Sequence, residues 1–76
     1  PSEAAILGAD MPENDLRQDY VRARLASDPS GLSRVTPFGK QDSSMLRLLT
    51  ESDALLIRTP FAPPAKAGET VRIIRL

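Results

Sequence analysis

Residues 19–25 constrain the fold more than any other segment, because apolar and polar side chains alternate along them. The apolar set is Val21, Ala23 and Leu25. Successive side chains of a β-strand point to opposite faces, so the alternation predicts a strand with one core face and one polar face. The apolar set is predicted to form the core face. The opposite face then carries Tyr20, Arg22 and Arg24.

A turn signal follows this strand directly. Pro29 fixes φ and Gly31 permits positive φ, in a segment that also contains Asp28 and Ser30. The pattern predicts a hairpin whose return strand covers residues 33–38.

Two further strands are predicted in the second half of the chain. Residues 54–59 form an almost continuous apolar run, which favours a central strand. Three prolines within residues 60–64 cannot donate to a sheet ladder, so this stretch is predicted to be a surface loop. A turn at Gly68 and Glu69 precedes residues 70–76, whose apolar side chains fall on both faces. That last pattern favours a curled sheet or a strand at a partner surface.

The remaining predicted elements are an N-terminal edge segment and one short helix. Residues 1–11 are predicted to form an edge strand and a loop. Met45, Leu48 and Leu49 recur with helical spacing, and so short a helix must lie on the sheet to be stable in water. The whole pattern predicts a mainly β fold, a small incomplete β-barrel of about four to five largely antiparallel strands with one short helix.

The charge balance and the missing residue types exclude several classes of function. Lys and Arg number 10, as do Asp and Glu, which removes the overall attraction to nucleic acid or to an anionic membrane. The sequence contains neither Cys nor His, so it lacks thiolate zinc sites and Ser/His or Cys/His nucleophilic pairs. No apolar run approaches the roughly 20 residues of a membrane span. We therefore expect neither nucleic acid nor a membrane as a partner.

The length fits a single small domain that covers residues 1–76. The sequence begins with Pro1 and has no initiator Met, which suggests a piece of a longer multidomain protein. Any chemistry must use carboxylates, hydroxyls, Lys, Arg or backbone amides.

The loop at residues 39–44 combines Gly39, Lys40, Asp42 and Ser43 just before the predicted helix. Exposed N–H groups at a helix N-terminus attract anions and Lys40 adds a cation, so the loop is a candidate oxyanion site. Asp42 can instead cap those N–H groups and repel an anion. The residues alone leave both interpretations open and favour an ordinary capped helix start.

Charged residues elsewhere also allow two interpretations. Arg22 and Arg24, two positions apart on one strand face, could grip a phosphate or carboxylate. The alternative is a solvated face, or pairing with an acid such as Asp19. The loop before this strand carries further acids, without the Gly and terminal Glu of a calcium loop, which favours a solvated loop. Those acids are Asp10, Glu13 and Asp15.

The order of these segments resembles the last domain of MoeA and gephyrin E-domain proteins, the molybdopterin molybdenumtransferases. The resemblance covers about Pro12 to Leu76 and rests on the order and spacing of several segments. In that family this region is an incomplete β-barrel, in agreement with the pattern prediction. The segments are DYVRARL at 19–25, the hairpin, GKQDSSML at 39–46, SDALLI at 52–57 and AGETV at 67–71.

The resemblance implies that the intact protein is an enzyme. By the same resemblance, this enzyme is expected to take adenylylated molybdopterin and molybdate, insert the metal and release AMP to give molybdenum cofactor. The resemblance further implies a divalent cation such as magnesium, a homodimer, contacts with the other domains of the same polypeptide, and a cytoplasmic location. The C-terminal domain borders the active cleft, so the 76 residues alone are expected to be inactive, with no catalytic residue, metal ligand or cofactor of their own.

Three residues are carried over as candidates for the substrate cleft. By position, Arg22 matches the family's strand arginine, and we expect it to bind a phosphate or the pterin side as a cation. Ser43 matches the loop serine, expected to position an anionic ligand as a donor. Lys40 is the third candidate, at a position that varies among relatives. Asp42 and Ser44 stand where many relatives carry Gly.

Two other functions remain open at this level. The first is a structural or interaction module that packs against neighbouring domains or a partner protein, with Arg22 and Ser43 serving structure only. The second is an unrelated small barrel that binds oligonucleotide, which the zero net charge and 4% aromatic content disfavour.

Overall fold

The computed structural model describes residues 2–39 and 50–76, and this part of the chain contains five β-strands. The mainly β prediction is confirmed. In chain order the strands are β1 Glu3–Leu7, β2 Asp19–Ser27, β3 Ser33–Pro37, β4 Ala54–Arg58 and β5 Thr70–Arg75.

The strands form a closed barrel in the order β1-β3-β2-β4-β5, with β5 paired back to β1. The β1–β3 pair is parallel, and the other four pairs are antiparallel, as predicted for the sheet as a whole. The ring of strand pairs is complete, whereas an incomplete barrel was expected. Closure satisfies backbone groups that would otherwise lie unpaired along two sheet edges.

The N-terminal strand was predicted to be an edge strand, and this is wrong. β1 pairs with β3 through Ile6 and Leu7, and with β5 from Glu3 to Ile6. A short apolar run indicates that a strand forms, but its neighbours are set by pairing with segments far along the chain. Here those segments are β3, in the middle of the sequence, and β5, near its C-terminal end.

The predicted core face of β2 is confirmed. Ala23 is fully buried, and Val21 and Leu25 pack against the buried cluster. Small side chains such as Ala23 and Ala54, which are register partners, let adjacent strands curl tightly around the interior. The buried cluster consists of Ala5, Leu7, Ala23, Val35, Ala54, Leu56, Ala65 and Ile73.

Both predicted turns are present. Gly31 has φ 93°, and its N–H donates to the carbonyl of Asp28 at 3.1 Å, which closes the β2–β3 hairpin. Gly68 has φ 97° in the turn before β5. A side chain at either φ would strain the backbone, so glycine is the natural residue at these positions.

The predicted helix lies mostly outside the described residues. Thr50 and Glu51 have helical backbone, and Asp53 then leads into β4. Among the described residues, no helix has the length and apolar character that crossing a membrane requires.

The barrel has two ends that carry different loops. β1, β3 and β4 run in one direction and β2 and β5 in the other. We call the end with residues 8–18 and 59–69 the proline end, and the end with the Asp28–Gly31 turn and residues 52–53 the hairpin end. Phe38 and Gly39 follow β3 toward the proline end.

Candidate functional site

Arg22 lies on the outer face of β2, opposite Leu55 of β4 in the sheet register. Its side chain is exposed, and within residues 2–39 and 50–76 the guanidinium has no hydrogen bond or ion pair. The predicted alternative, pairing with Asp19, is therefore not formed. An exposed, permanently charged guanidinium without an internal partner is available to a phosphate or carboxylate.

Arg24 lies on the same face but has a different environment. It is half-buried, and its guanidinium carbon stands 5.1 Å from the centre of the Phe38 ring. This geometry is a cation–π contact, which holds the side chain over the ring. The two arginines predicted as a pair therefore differ, since Arg24 is held on Phe38 while the Arg22 guanidinium has no partner in the described part of the chain.

Lys40 and Ser43, the other two candidates, lie outside the described residues. The structure describes Gly39, the first residue of their loop. Gly39 directly follows Phe38, whose N–H donates to the carbonyl of Arg22 at 3.4 Å. The structure thus brings the first residue of the predicted loop beside Arg22. Sequence separation alone did not indicate this proximity.

Arg58 is a buried charged residue that stabilises the fold and that the sequence pattern did not single out. Its side chain is only 7% exposed, at the end of β4. The guanidinium donates to the carbonyl of Pro12 at 2.6 Å and to that of Pro63 at 3.0 Å. It thereby connects the two loops of the proline end. A charge at the end of an apolar strand, next to proline-rich loops, was the available signal.

Asn14 makes a second connection at the proline end. Its side-chain nitrogen lies 2.7 Å from the carbonyl of Arg17, 3.2 Å from that of Arg58 and 2.9 Å from that of Thr59. The amide has two N–H groups, so these three acceptors share two donors. The backbone N–H of Asn14 also donates to the carbonyl of Ala62 at 2.9 Å.

Two acidic residues of the 8–18 loop bind backbone groups. Asp10 accepts a hydrogen bond from the N–H of Ala67, and Asp15 accepts one from the N–H of Arg17, both at 2.9 Å. Among residues 2–39 and 50–76, no group of three or more carboxylates could hold a metal ion. In the described part of the chain these acids order the loop.

Asp28 organises the hairpin end. Hydrogen bonds from Ser30 hold the pKa of the Asp28 carboxyl below its usual value, with a further contribution from Arg34. The N–H of Ser30 donates to Oδ2 at 2.9 Å, and the Arg34 guanidinium pairs with Oδ1 at 2.9 Å. All of these contacts lie within six residues along the chain.

An open cleft of about 480 Å³ also lies at the hairpin end, lined by Leu25, Ser52, Asp53, Arg75 and Leu76. Its charged groups are already bonded within the chain. Asp53 accepts a hydrogen bond from the N–H of Leu25 at 2.9 Å, and Arg75 pairs with Glu3 at 2.7 Å. We therefore do not assign ligand binding to this cleft, and Arg22 remains the candidate whose guanidinium is without a partner among residues 2–39 and 50–76.

Comparison with known proteins identifies the family. The family model described as the MoeA C-terminal region (domain IV) matches residues 4–76. No curated protein matches this chain. The crystal structure of a molybdopterin biosynthesis MoeA protein from Pyrococcus horikoshii OT3 superimposes with a TM-score of 0.71 and 26% sequence identity. The match covers 100% of this chain and 18% of that protein. The chain therefore belongs to the family of MoeA C-terminal regions, domain IV.

Proposed function

We propose that this chain is the C-terminal domain of a molybdopterin molybdenumtransferase. The intact enzyme inserts molybdenum from molybdate into adenylylated molybdopterin and releases AMP. The observation that carries the proposal is the family match over residues 4–76, supported by a similar fold in a protein of molybdopterin biosynthesis. Because the match covers 18% of that protein, the chemistry is assigned to the whole polypeptide, and this domain alone is inactive.

Arg22 is the residue of the described chain that we assign to the substrate cleft. Its guanidinium is exposed and has no partner among residues 2–39 and 50–76. The substrate carries phosphate groups, and a guanidinium can bind their oxygens through two parallel N–H donors. Ser43 and Lys40 join it as proposed donors from the loop that starts beside Arg22. Their role is to hold anionic groups in place for the reaction.

The proposed reaction involves two metals, molybdenum as a substrate and a divalent cation as a cofactor of the intact enzyme. Molybdate is a substrate. A divalent cation such as magnesium belongs to the intact enzyme, but the described residues do not fit it, since no three carboxylates converge. We therefore assign it no ligand in this domain. We also propose a homodimeric, cytoplasmic enzyme whose C-terminal domain contacts the other domains of its own polypeptide.

The test uses the intact enzyme with Arg22→Ala and Arg22→Lys. We expect Arg22→Ala to lower kcat/KM for adenylylated molybdopterin at least about tenfold, equivalent to about 1.4 kcal/mol of transition-state binding. Arg22→Lys should retain part of the kcat/KM that Arg22→Ala loses, because lysine keeps the charge but not the planar pair of donors. Molybdenum cofactor formed per unit time is the readout.

The matched control is Arg34→Ala, which removes an exposed strand arginine that is bonded to Asp28 rather than free. It should leave kcat and KM unchanged. Unchanged kcat and KM in Arg22→Ala as well would reject a cleft role for Arg22. No cofactor formation by the intact wild-type enzyme would reject the proposed function itself.

A further inference from the structure

Two large apolar side chains are highly exposed at the proline end. Leu16 is 71% exposed and Phe61 is 69% exposed, the highest values among the large apolar residues of the described chain. The N–H of Phe61 donates to the carbonyl of Asp15 at 2.8 Å, so the two side chains are carried by neighbouring, hydrogen-bonded segments. We call this pair the apolar tip.

The backbone of Phe61 is strained. Its φ is 58°, and in the described chain it is the residue other than glycine with positive φ. A bulky side chain in this conformation is strained, and Gly would avoid this strain while Asn would reduce it. The exposed ring gains little packing in return within this chain. Strain held at an exposed aromatic residue points to a role outside the chain's own stability.

The proline end keeps Phe61 in this conformation through a fixed scaffold. The N–H of Ala62 donates to the carbonyl of Thr59 at 3.1 Å, and the carbonyl of Ala62 accepts from the N–H of Asn14. The Arg58 guanidinium donates to the carbonyl of Pro63 at 3.0 Å. The tip is therefore presented on a braced turn, and a partner meets it with little loss of conformational entropy.

The loop that carries Leu16 is acidic. Glu13, Asp15 and Asp10 lie in the same loop as Leu16, against one cation, Arg17. The three carboxylates are on exposed residues, and among residues 2–39 and 50–76 none of them forms an ion pair. Complementary potentials favour a partner surface with basic residues around an apolar pocket.

We propose that Phe61 and Leu16 dock into an apolar pocket, bordered by Lys or Arg, on another domain of the same polypeptide. Two side chains are a small fraction of the roughly 800 Å² per partner that separate proteins bury in a stable complex. Covalent linkage removes this requirement, because it holds the surfaces at about millimolar effective concentration. The similar MoeA protein has the corresponding region as 18% of its length, which leaves ample chain to provide the pocket. The inference rests on the proposed function only in taking this chain as part of a longer polypeptide.

Hydroxyl-radical footprinting of the intact polypeptide tests this docking without any substrate. Normalised to intrinsic reactivity, Phe61 and Leu16 should be oxidised at least about fivefold more slowly than their exposure here implies, as expected for side chains buried in an interface. Leu32 at the hairpin end, 40% exposed, is the internal reference and should react as its exposure implies. Full reactivity of the apolar tip would overturn the proposal. Protection that appears only as protein concentration rises would overturn the proposal and indicate docking on a second copy of the chain. A gene that encodes only these 76 residues would also overturn the proposal.

A pair of variants separates docking from local folding. Phe61→Asp should restore the reactivity of Leu16 to that of an exposed side chain, because a buried carboxylate in an apolar pocket disfavours the docked state. Leu32→Asp is the matched control and should leave Leu16 protected. Circular dichroism checks that both variants keep the β-barrel. If Leu16 stays protected in the folded Phe61→Asp variant, the proposed pocket is wrong. If Phe61 and Leu16 are protected in an intact polypeptide that has no molybdenum transfer activity, only the proposed function is rejected.

Discussion

The contacts of Arg58 and Asn14 at the proline end differ in kind from those of the Asp28 turn at the hairpin end. At the proline end, Arg58 and Asn14 bind carbonyls that lie up to 46 residues away from them in the sequence. At the hairpin end, Asp28 binds Ser30 and Arg34, which are two and six residues away. The hydrogen bonds of the Arg58 guanidinium are partly buried, and those of Asp28 are exposed to solvent.

This difference separates contacts that stabilise the whole fold from contacts that shape one turn. A buried donor that loses its position leaves carbonyls unpaired, at a cost close to their full desolvation. An exposed ion pair exchanges with water and contributes little. The same contacts of the proline end also keep the apolar tip in its strained conformation. They therefore contribute both to the stability of the fold and to the proposed docking.

Arg58→Met should have the largest effect on stability. The substitution keeps a long side chain but removes the donors to Pro12 and Pro63, so we expect a loss of about 3 kcal/mol in the free energy of unfolding. Urea unfolding followed by circular dichroism measures it. The control Arg34→Met removes an exposed arginine and should cause no resolvable change. Equal losses in the two variants would contradict the distinction between the ends.

Asn14→Ala should have the second largest effect. Three carbonyls lose a shared donor, and because Asn14 is only half-buried, water can replace part of the interaction. We expect a loss of about 1 to 2 kcal/mol in the free energy of unfolding. Asn14→Asp is the control, since it keeps the shape but replaces the donor by an acceptor and should be at least as destabilising. A stable Asp variant would show that the amide donors contribute nothing.

Asp53→Ala tests a longer-range contact at the hairpin end. Its carboxylate accepts from the N–H of Leu25, and both residues are reachable by solvent. We expect a loss of about 1 kcal/mol, smaller than at Arg58 because water can take the place of the lost acceptor. Asp53→Asn keeps an acceptor oxygen and should recover most of the stability in the same urea experiment. A loss as large as that of Arg58→Met would remove the contrast between the ends.

Asp28→Asn should have the smallest effect on stability, and its difference from the wild-type chain should disappear in acid. The pKa of Asp28 is lowered below 3.8 in the folded chain. Its contribution to stability is therefore fully present above the unfolded pKa and is lost as pH falls through the lowered folded pKa. Asp28→Asn should flatten the acid side of the stability profile and leave its slope near neutral pH unchanged. A change in slope near neutral pH would mean that another group is responsible.

The local β pattern was predictable from sequence because strand periodicity is a short-range property. Alternation in residues 19–25 predicted the faces of β2, and Gly31 and Gly68 marked turns whose positive φ the structure contains. The edge position of residues 1–11 was predicted wrongly, because strand neighbours depend on distant segments. Of the candidate site, the exposed position of Arg22 followed from periodicity, while Lys40 and Ser43 stay predictions.

The sequence by itself determined that the chain forms a mainly β domain, where its turns fall and which face of β2 is buried. Its segments also carried the family resemblance that the domain match bears out. Only the tertiary structure decided that β1 closes the barrel and that Arg58 is buried against two carbonyls. It also decided that Arg24 stacks on Phe38 while the Arg22 guanidinium has no partner among the described residues. The physical reason is that side-chain type and spacing act locally, whereas partners are chosen by which distant segments the closed sheet brings within hydrogen-bond distance.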